Sequence, residues 1–110
     1  MRQKQLLDYL ERNCRGRTKR ASGGELEQVL GIRKSQLQKQ VNQLRQRGYP
    51  VGSDEQGYYY AVTAGEVCAT AARLRKMARG LELAAMGMER SLEYYTRRGG
   101  VPMRSQDLRM

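Results

Sequence analysis

Near the middle of the chain, apolar residues recur every three or four positions and indicate two short helices joined by a tight turn. Leu26, Val29 and Leu30 predict an apolar face on the first of these helices. Gly31 permits the positive φ that ends a helix at low cost, and Ile32 supplies an apolar side chain between the two helices. The pattern therefore predicts a short helix that ends at Gly31.

A second helix is predicted to begin at about Lys34 and to end just before Gly48. Leu37, Val41 and Leu44 have the i, i+4, i+7 spacing of one buried stripe. The opposite face consists of cations and polar side chains without a carboxylate: Arg33, Lys34, Ser35, Gln38, Lys39, Asn42, Arg45 and Gln46. Such side chains suit phosphate oxygens and the base edges of the major groove, whereas a face that contacts only water has a similar composition.

Two short segments with strand propensity follow this helix and predict a β-hairpin. The first contains Val51 and the second is Tyr58-Tyr59-Tyr60, with the turn-forming sequence Asp-Glu-Gln-Gly between them. Pro50 has no amide hydrogen to donate and fits the start of an edge strand. Two helices joined by a turn and followed directly by a hairpin are the arrangement of a winged helix.

Several residues of this region together form a family pattern: Leu30-Gly31-Ile32-Arg33-Lys34-Ser35, Leu37, Lys39, Val41, Leu44-Arg45, Gly48 and Gly57-Tyr58-Tyr59-Tyr60. Through them, about residues 4–62 resemble the winged-helix domain at the N-terminus of biotin-operon repressors and in many small bacterial and phage regulators. The resemblance implies a three-helix core with a wing, and a second motif helix that enters the major groove of DNA. The ligase domain of those repressors is not expected, because the rest of the 110-residue chain is too short to hold it.

The resemblance also implies roles for individual positions. It implies that six residues face DNA: Arg33, Lys34, Ser35, Gln38, Lys39 and Asn42. Arg33 stands where the family usually has a small hydroxyl residue as the helix N-cap, and Glu27 stands where it has a small residue. In the wing, the family pattern implies that Tyr58 and Tyr60 are core residues and that Tyr59 is exposed. Tyr59 then either stacks on a DNA sugar or packs against the long helix that follows, which is the arrangement we favour.

The charge of the chain favours a polyanionic partner. Its 21 Lys and Arg residues exceed its 11 Asp and Glu residues and give a formal net charge of +10. Cations also gather in the first loop, where Arg17, Lys19 and Arg20 are predicted to contact phosphates, unless the loop is only flexible and basic. Asp54 and Glu55 at the wing tip are expected to be repelled by phosphates, so this tip is not expected to enter a groove.

The composition favours a protein without catalytic, metal or cofactor chemistry. The chain has no His, no glycine-rich phosphate loop, and carboxylates that are scattered singly among cations, so neither an enzyme nor a cofactor is expected. Two distant cysteines without His do not indicate a metal site. Cys14 continues the Leu7 and Leu10 stripe of the first helix, so we expect a buried, reduced thiol. No stretch is as apolar as a membrane span or signal peptide, and a cytoplasmic protein is expected.

A long helix is predicted from a capping box at Thr63 and Glu66 to about Arg98. Its apolar residues alternate spacings of four and three, the heptad pattern of a helix that packs on another helix: Val67, Ala71, Leu74, Ala78, Leu81, Ala85, Met88, Leu92 and Tyr95. We expect a homodimer, with Leu74, Ala78, Leu81, Ala85, Met88 and Leu92 in the contact. The alternative is a break at Gly80 that folds the helix back on its own domain, and the pattern leaves parallel and antiparallel pairing open.

These elements predict a mainly α fold of the α+β type: a winged helix-turn-helix domain in residues 1–62, a long helix in residues 63–98 and a flexible tail in residues 99–110. We expect a homodimer that binds double-stranded DNA at an inverted repeat and regulates transcription in a bacterium or phage, with no small-molecule ligand. Two other functions fit the same elements. One is a winged-helix module that binds or assembles another protein, and the other is an architectural or replication protein of a mobile element that binds DNA without sequence preference.

Overall fold

The computed structural model describes residues 2–97, and the predicted tail in residues 99–110 lies outside this range. Within the described range, helices and strands follow one another as α1 Arg2–Asn13, α2 Gly23–Leu30, α3 Lys34–Gln46, β1 Val51–Ser53, β2 Tyr58–Tyr60, α4 Ala64–Arg90 and α5 Leu92–Arg97. A short 3-10 helix, Arg17–Lys19, lies between α1 and α2. The prediction of a mainly helical fold with one antiparallel β-hairpin is confirmed.

The core of the first compact unit, Met1–Arg73, forms where the apolar stripes of α1, α2 and α3 meet. Its fully buried helical side chains are Leu6, Leu10, Leu26, Leu37, Val41 and Leu44, and Ile32 is buried in the turn between α2 and α3. The predicted stripe on α3 and the role of Ile32 are therefore confirmed. On α2 the predicted apolar face is only partly correct, because Val29 is 55% exposed.

Cys14 follows α1 and continues its buried stripe, as predicted. The residue is 2% exposed and its thiol is free. Burial raises the pKa of the Cys14 thiol, and the negative charge of Glu25 raises it further. The thiol is therefore held in its neutral form, which is the less reactive form of a cysteine.

The ends of α2 and α3 follow from local sequence. Ser22 caps the start of α2, because its hydroxyl accepts a hydrogen bond from the Glu25 amide at 3.1 Å. Gly31 ends α2 in the left-handed region with a φ of 63°, as predicted. Helix α3 then begins at Lys34, the predicted residue, and Gly48 lies beyond its end with a φ of 92°.

The sheet is extended by the segment between α1 and α2. Strands β1 and β2 form an antiparallel hairpin. On its other side, β2 is hydrogen-bonded to the first loop, which is the segment between Asn13 and Gly23. The Tyr60 amide donates to the Cys14 carbonyl at 2.7 Å, and the Tyr58 amide donates to the Ala21 carbonyl at 2.8 Å. Strand β2 therefore lies between β1 and the first loop, and the loop is held against the hairpin by backbone hydrogen bonds.

The burial of the tyrosines on β2 is the reverse of what the resemblance implies. Tyr59 is 2% exposed, whereas Tyr58 and Tyr60 are only half-buried. The Tyr59 ring lies across Gly52 of β1, where the absence of a side chain leaves room for it. Its hydroxyl lies 3.5 Å from that of Thr70 on α4. The predicted exposure of Tyr59 is therefore wrong, and its packing against the long helix is confirmed.

Helix α4 begins as predicted but ends earlier. The Thr63 hydroxyl accepts a hydrogen bond from the Glu66 amide at 3.1 Å and caps the helix. Helix α4 continues through Gly80, so the break considered there does not occur. It ends instead at Arg90, where the Ser91 hydroxyl donates to the Met88 carbonyl, a local bond that competes with continued helix. The predicted uninterrupted helix is thus two helices, α4 and α5.

A second compact unit, Leu74–Met110, contains the remainder of α4 together with α5. Many of its described apolar side chains are exposed, including Met77, Leu81, Leu83, Met86 and Met88. The N-terminal turns of α4 belong to the first unit, where Thr70 is buried and its hydroxyl accepts a hydrogen bond from the Ser53 amide at 3.2 Å.

Candidate nucleic-acid interface

The start of α3 is fixed by an amide side chain rather than by a hydroxyl cap. Arg33 occupies the N-cap position, and its guanidinium has only donors, so it cannot accept a hydrogen bond from the helix amides. The Gln36 side-chain oxygen instead accepts from the Arg33 amide at 3.0 Å. This bond satisfies one of the free donors at the helix end and replaces the small hydroxyl residue of the family pattern.

The six residues that the sequence predicts to face DNA form one exposed surface, which we call the α3 polar face: Arg33, Lys34, Ser35, Gln38, Lys39 and Asn42. All six side chains are exposed, and they lie away from the buried Leu37 and Val41. Helix α3 contains no acidic residue. Among residues 2–97, none of the six forms an ion pair. The cations of the α3 polar face are therefore available to an external anion.

Arg45 does not belong to this surface, so its predicted outward position is wrong. Its side chain turns to the hairpin, where Nε donates to the Val51 carbonyl at 2.8 Å and Nη2 donates to the Ser53 hydroxyl at 2.9 Å. Burial lowers the pKa of the Arg45 guanidinium from its ordinary value. The guanidinium remains charged at neutral pH and joins the last turn of α3 to β1.

The cations of the first loop differ in their surroundings. Arg17 Nε lies 3.1 Å from one carboxylate oxygen of Asp54, and Arg20 Nε lies 3.6 Å from the other. Arg20 Nη1 also donates to the Arg17 carbonyl at 2.8 Å. Lys19, between them in the chain, is exposed. Two of the three loop cations that were predicted to contact phosphates are therefore already paired with a carboxylate.

Asp54 shapes the tip of the hairpin as well as binding the loop. Its Oδ1 accepts hydrogen bonds from the Gln56 amide at 2.9 Å and the Gly57 amide at 3.1 Å. Burial acts to raise the pKa of the Asp54 carboxyl, but these amides and the two arginines outweigh it, and the pKa lies below its ordinary value. Negative charge at the tip is thus offset at Asp54, whereas Glu55 is exposed.

Glu66 attaches the loop to the beginning of α4. Its Oε2 accepts from the Arg17 amide at 3.0 Å, and its Oε1 accepts from the Val62 amide at 2.8 Å. These two amides lower the pKa of the Glu66 carboxyl. Arg17 is therefore held twice, through its backbone by Glu66 and through its side chain by Asp54.

The predicted pairing stripe of the long helix is exposed over most of its length. On α4, Leu81 is 73% exposed and Met88 is 72% exposed, Ala78 and Ala85 are exposed, and Leu74 is half-buried. Leu92, the last predicted contact residue, lies on α5 and is 62% exposed. Large apolar side chains aligned on one helix face are unfavourable in water and usually mark a surface that another protein covers.

Within residues 2–97, no three His, Cys, Asp or Glu side chains are grouped as a metal ion would require. No helix of this part of the chain is both long enough and apolar enough to cross a bilayer. The chain matches no protein-family model, no curated protein and no solved structure.

Two residues that shape the candidate interface were not identified from the sequence. Gln36 accepts the Arg33 amide at the start of α3, and a glutamine three residues after an N-cap is a signal that could have revealed this role. Asp54 holds the first loop. The order Asp-x-x-Gly marks Asp54 as the acceptor of a turn, but nothing local in the sequence indicates that Arg17 and Arg20 lie beside it.

Proposed function

We propose that this chain is a winged-helix protein that binds double-stranded DNA as a homodimer and regulates transcription in a bacterium or phage. The observation that carries the proposal is the α3 polar face, which combines exposed cations and amides on a helix that contains no carboxylate. A helix of this kind fits the major groove, where positive side chains meet phosphates and guanine while amides pair with adenine. No catalytic residue and no cofactor are part of the proposal.

Individual residues of the α3 polar face have different proposed roles. Lys34 and Lys39 are flexible point charges, which suit phosphate oxygens. Gln38 and Asn42 are four residues apart on one side of α3 and offer both a donor and an acceptor, as recognition of adenine requires. Arg33 has the planar donor pair that binds guanine. The face therefore holds both sequence-independent and sequence-dependent contacts.

The surrounding elements support a winged-helix interpretation. Helices α1, α2 and α3 share one core, and the hairpin of β1 and β2 follows α3 directly. In the proposal, Lys19 contacts phosphate from the first loop, and Arg17 and Arg20 join it when DNA competes with Asp54. Arg45 has no place in the proposed DNA contact, because its side chain turns to the hairpin, where Nε and Nη2 donate to Val51 and Ser53.

The alternative of a protein-binding module is not supported by the surface of α3. A protein-binding helix usually presents an apolar patch, and the large apolar residues of α3 are buried. Val29 on α2 and Tyr49 beyond α3 are the nearest exposed large apolar side chains in sequence. An architectural role without base preference would use the same cations, so base preference is the property that an experiment must measure.

The decisive experiment is to incubate the protein with random duplex DNA at near-physiological salt and to sequence the retained fraction. An enriched inverted repeat is the expected result and would also give the half-site spacing. Retention without enrichment would replace the regulator with an architectural DNA-binding protein. No retention would reject DNA binding and favour the protein-binding module.

Variants of the α3 polar face test the assignment of residues. Lys39→Glu should weaken binding to all sequences and reduce the salt dependence, while Gln38→Ala and Asn42→Ala should each relax preference at one base pair by about 1–3 kcal/mol. Lys76→Glu changes the same charge on α4, and Gln28→Ala removes an exposed amide from α2. Equal losses in these control variants would show that the α3 polar face is not the contact.

A further inference from the structure

The exposed stripe of the second unit alternates small and large side chains. Between Leu74 and Ala85, the stripe consists of the half-buried Leu74 and the exposed Ala78, Leu81 and Ala85, at spacings of four, three and four. Leu81 is among the most exposed apolar side chains of the described residues, at 73%. Alternation of this kind means that a partner helix must place a large side chain where this one has an alanine.

A second copy of α4 satisfies that requirement only when it runs in the opposite direction. Two parallel copies would place Ala78 on Ala78 and Leu81 on Leu81, so that thin layers alternate with thick ones and leave voids. With antiparallel copies centred between Arg79 and Gly80, Ala78 lies opposite Leu81 of the second copy. The same register places Leu74 opposite Ala85 of the second copy. Each layer then has one small and one large side chain, and the layers have equal thickness.

The residues on either side of the stripe favour the same register. On one flank, Arg75 and Glu82 would face each other between antiparallel copies, which makes two symmetric pairs of opposite charge. On the other flank, Met77 would face Ala84 of the second copy, again a large side chain against a small one. In parallel copies Glu82 would face Met77 of the second copy, so the charge would meet an apolar side chain.

We infer that the exposed stripe of α4 is the contact surface for a second copy of this chain, which pairs antiparallel in the register centred between Arg79 and Gly80. The inference rests on the homodimer of the proposed function and adds its direction and register. The partner is an identical chain, because both the size alternation and the flanking charges of one α4 match those of a second, antiparallel α4. It does not depend on DNA, so the two proposals can fail separately.

A distance measurement in the full-length protein without DNA tests the direction of pairing. In a Cys68→Ser background, Glu89→Cys provides a labelling site on α4, and Cys14 is too buried to react. The proposed register separates the two labels by 19 helical residues, or about 28 Å along the helix axis. Parallel copies would bring the labels within about 20 Å of each other, and a shift by one heptad would change the distance by about 10 Å. Either of these results would overturn the proposed register.

Charge reversal tests the flanking pairs independently. Arg75→Glu or Glu82→Arg alone would place like charges together twice, and each should weaken self-association about tenfold at low salt. The double variant should restore association to within about twofold of the unmodified protein. A double variant as weak as the product of the two single effects would contradict the antiparallel register.

The apolar layer is tested by Leu81→Glu, which should leave a monomer in sedimentation experiments. Leu83→Glu is the matched control, since Leu83 is 59% exposed but lies on the opposite side of α4. Equal dissociation by both variants, or a monomeric unmodified protein, would overturn the inference. A monomer that still selects a DNA sequence would leave DNA binding intact, whereas an antiparallel dimer that retains no DNA would reject only the proposed function.

Discussion

Arg17 and Asp54 are joined by an ion pair of 3.1 Å that connects the first loop to the tip of the β-hairpin. The Arg17 side chain is 65% exposed, so water screens the pair and its contribution to folding is small. The Asp54 carboxylate also lies 3.6 Å from Arg20, so it competes with external anions for both arginines. A phosphate that binds Arg17 or Arg20 must displace Asp54 or share the arginine with it.

Asp54→Asn should therefore strengthen DNA binding. The variant removes one negative charge and releases Arg17 and Arg20, while the amide oxygen still accepts from the turn amides. We expect about fivefold tighter binding at moderate salt, with a steeper salt dependence, in a titration monitored by fluorescence anisotropy. Glu55→Gln removes the same charge from an exposed position. If Glu55→Gln strengthened binding equally, net charge alone would explain the effect and Asp54 would have no specific role.

Gly52→Ala should destabilise the first unit by about 1–3 kcal/mol, because the new methyl group would overlap the buried Tyr59 ring. Urea unfolding followed by circular dichroism measures this loss. Gly24→Ala is a suitable control, because the methyl group added there meets nothing closer than the Ser22 hydroxyl at 4.0 Å. An unchanged unfolding midpoint for Gly52→Ala would mean that the Tyr59 ring does not lie across β1.

Arg45→Met and Lys39→Met should separate folding from binding. Both remove one positive charge from α3, but Arg45 bonds to β1 and Lys39 is exposed. Loss of the Arg45 bonds leaves the Val51 carbonyl without that donor and should lower the free energy of unfolding by about 1–3 kcal/mol. Lys39→Met should leave unfolding nearly unchanged and weaken DNA binding. The opposite pattern in unfolding and binding titrations would refute both assignments.

Acid should release the first loop before it unfolds the helical core. The carboxyls of Asp54 and Glu66 have lowered pKa values in the folded protein, so their stabilisation is complete above the ordinary carboxyl pKa of about 4. It is lost as the pH falls from there through their lower folded values. Amide hydrogen exchange at Arg17 and Val62 should accelerate over this interval, after correction for the intrinsic pH dependence of exchange.

Glu66→Gln provides the control for this pH effect. The variant should abolish the acid-dependent change in protection at Val62, whereas the Gln56 amide, which bonds Asp54, should still respond. A change at Val62 that persisted in Glu66→Gln would assign the titration to another group.

Local patterns predicted those parts of the fold that depend on neighbouring residues in the sequence. Gly31, the start of α3 at Lys34 and the cap at Thr63 are correct because each involves contacts within one helical turn. Arg45 could not be placed in this way, since its partners belong to a strand whose position depends on the complete fold. A helical projection shows only that Arg45 lies beside the apolar stripe, and a long side chain there reaches either water or a strand.

The tyrosines show the same limit in a strand. Alternation correctly places Tyr58 and Tyr60 on one side of β2 and Tyr59 on the other. It does not show which side is buried, and this depends on Gly52 and Thr70, which lie on other elements. For the candidate interface, all six predicted residues of α3 are exposed, but the link from the first loop to Asp54 needs the fold to bring distant residues together.

The bonds between the first loop and β2 also determine the order in which the chain can fold. Cys14 and Ala21 bond to residues about 40 positions later in the chain, so these contacts carry a high loop-closure cost. Helices α2 and α3 and their turn are local and are expected to form early. During synthesis, α1 can pack on α2 and α3 as soon as α3 has emerged, whereas the backbone groups of the first loop stay without their β2 partners until residue 60 has left the ribosome.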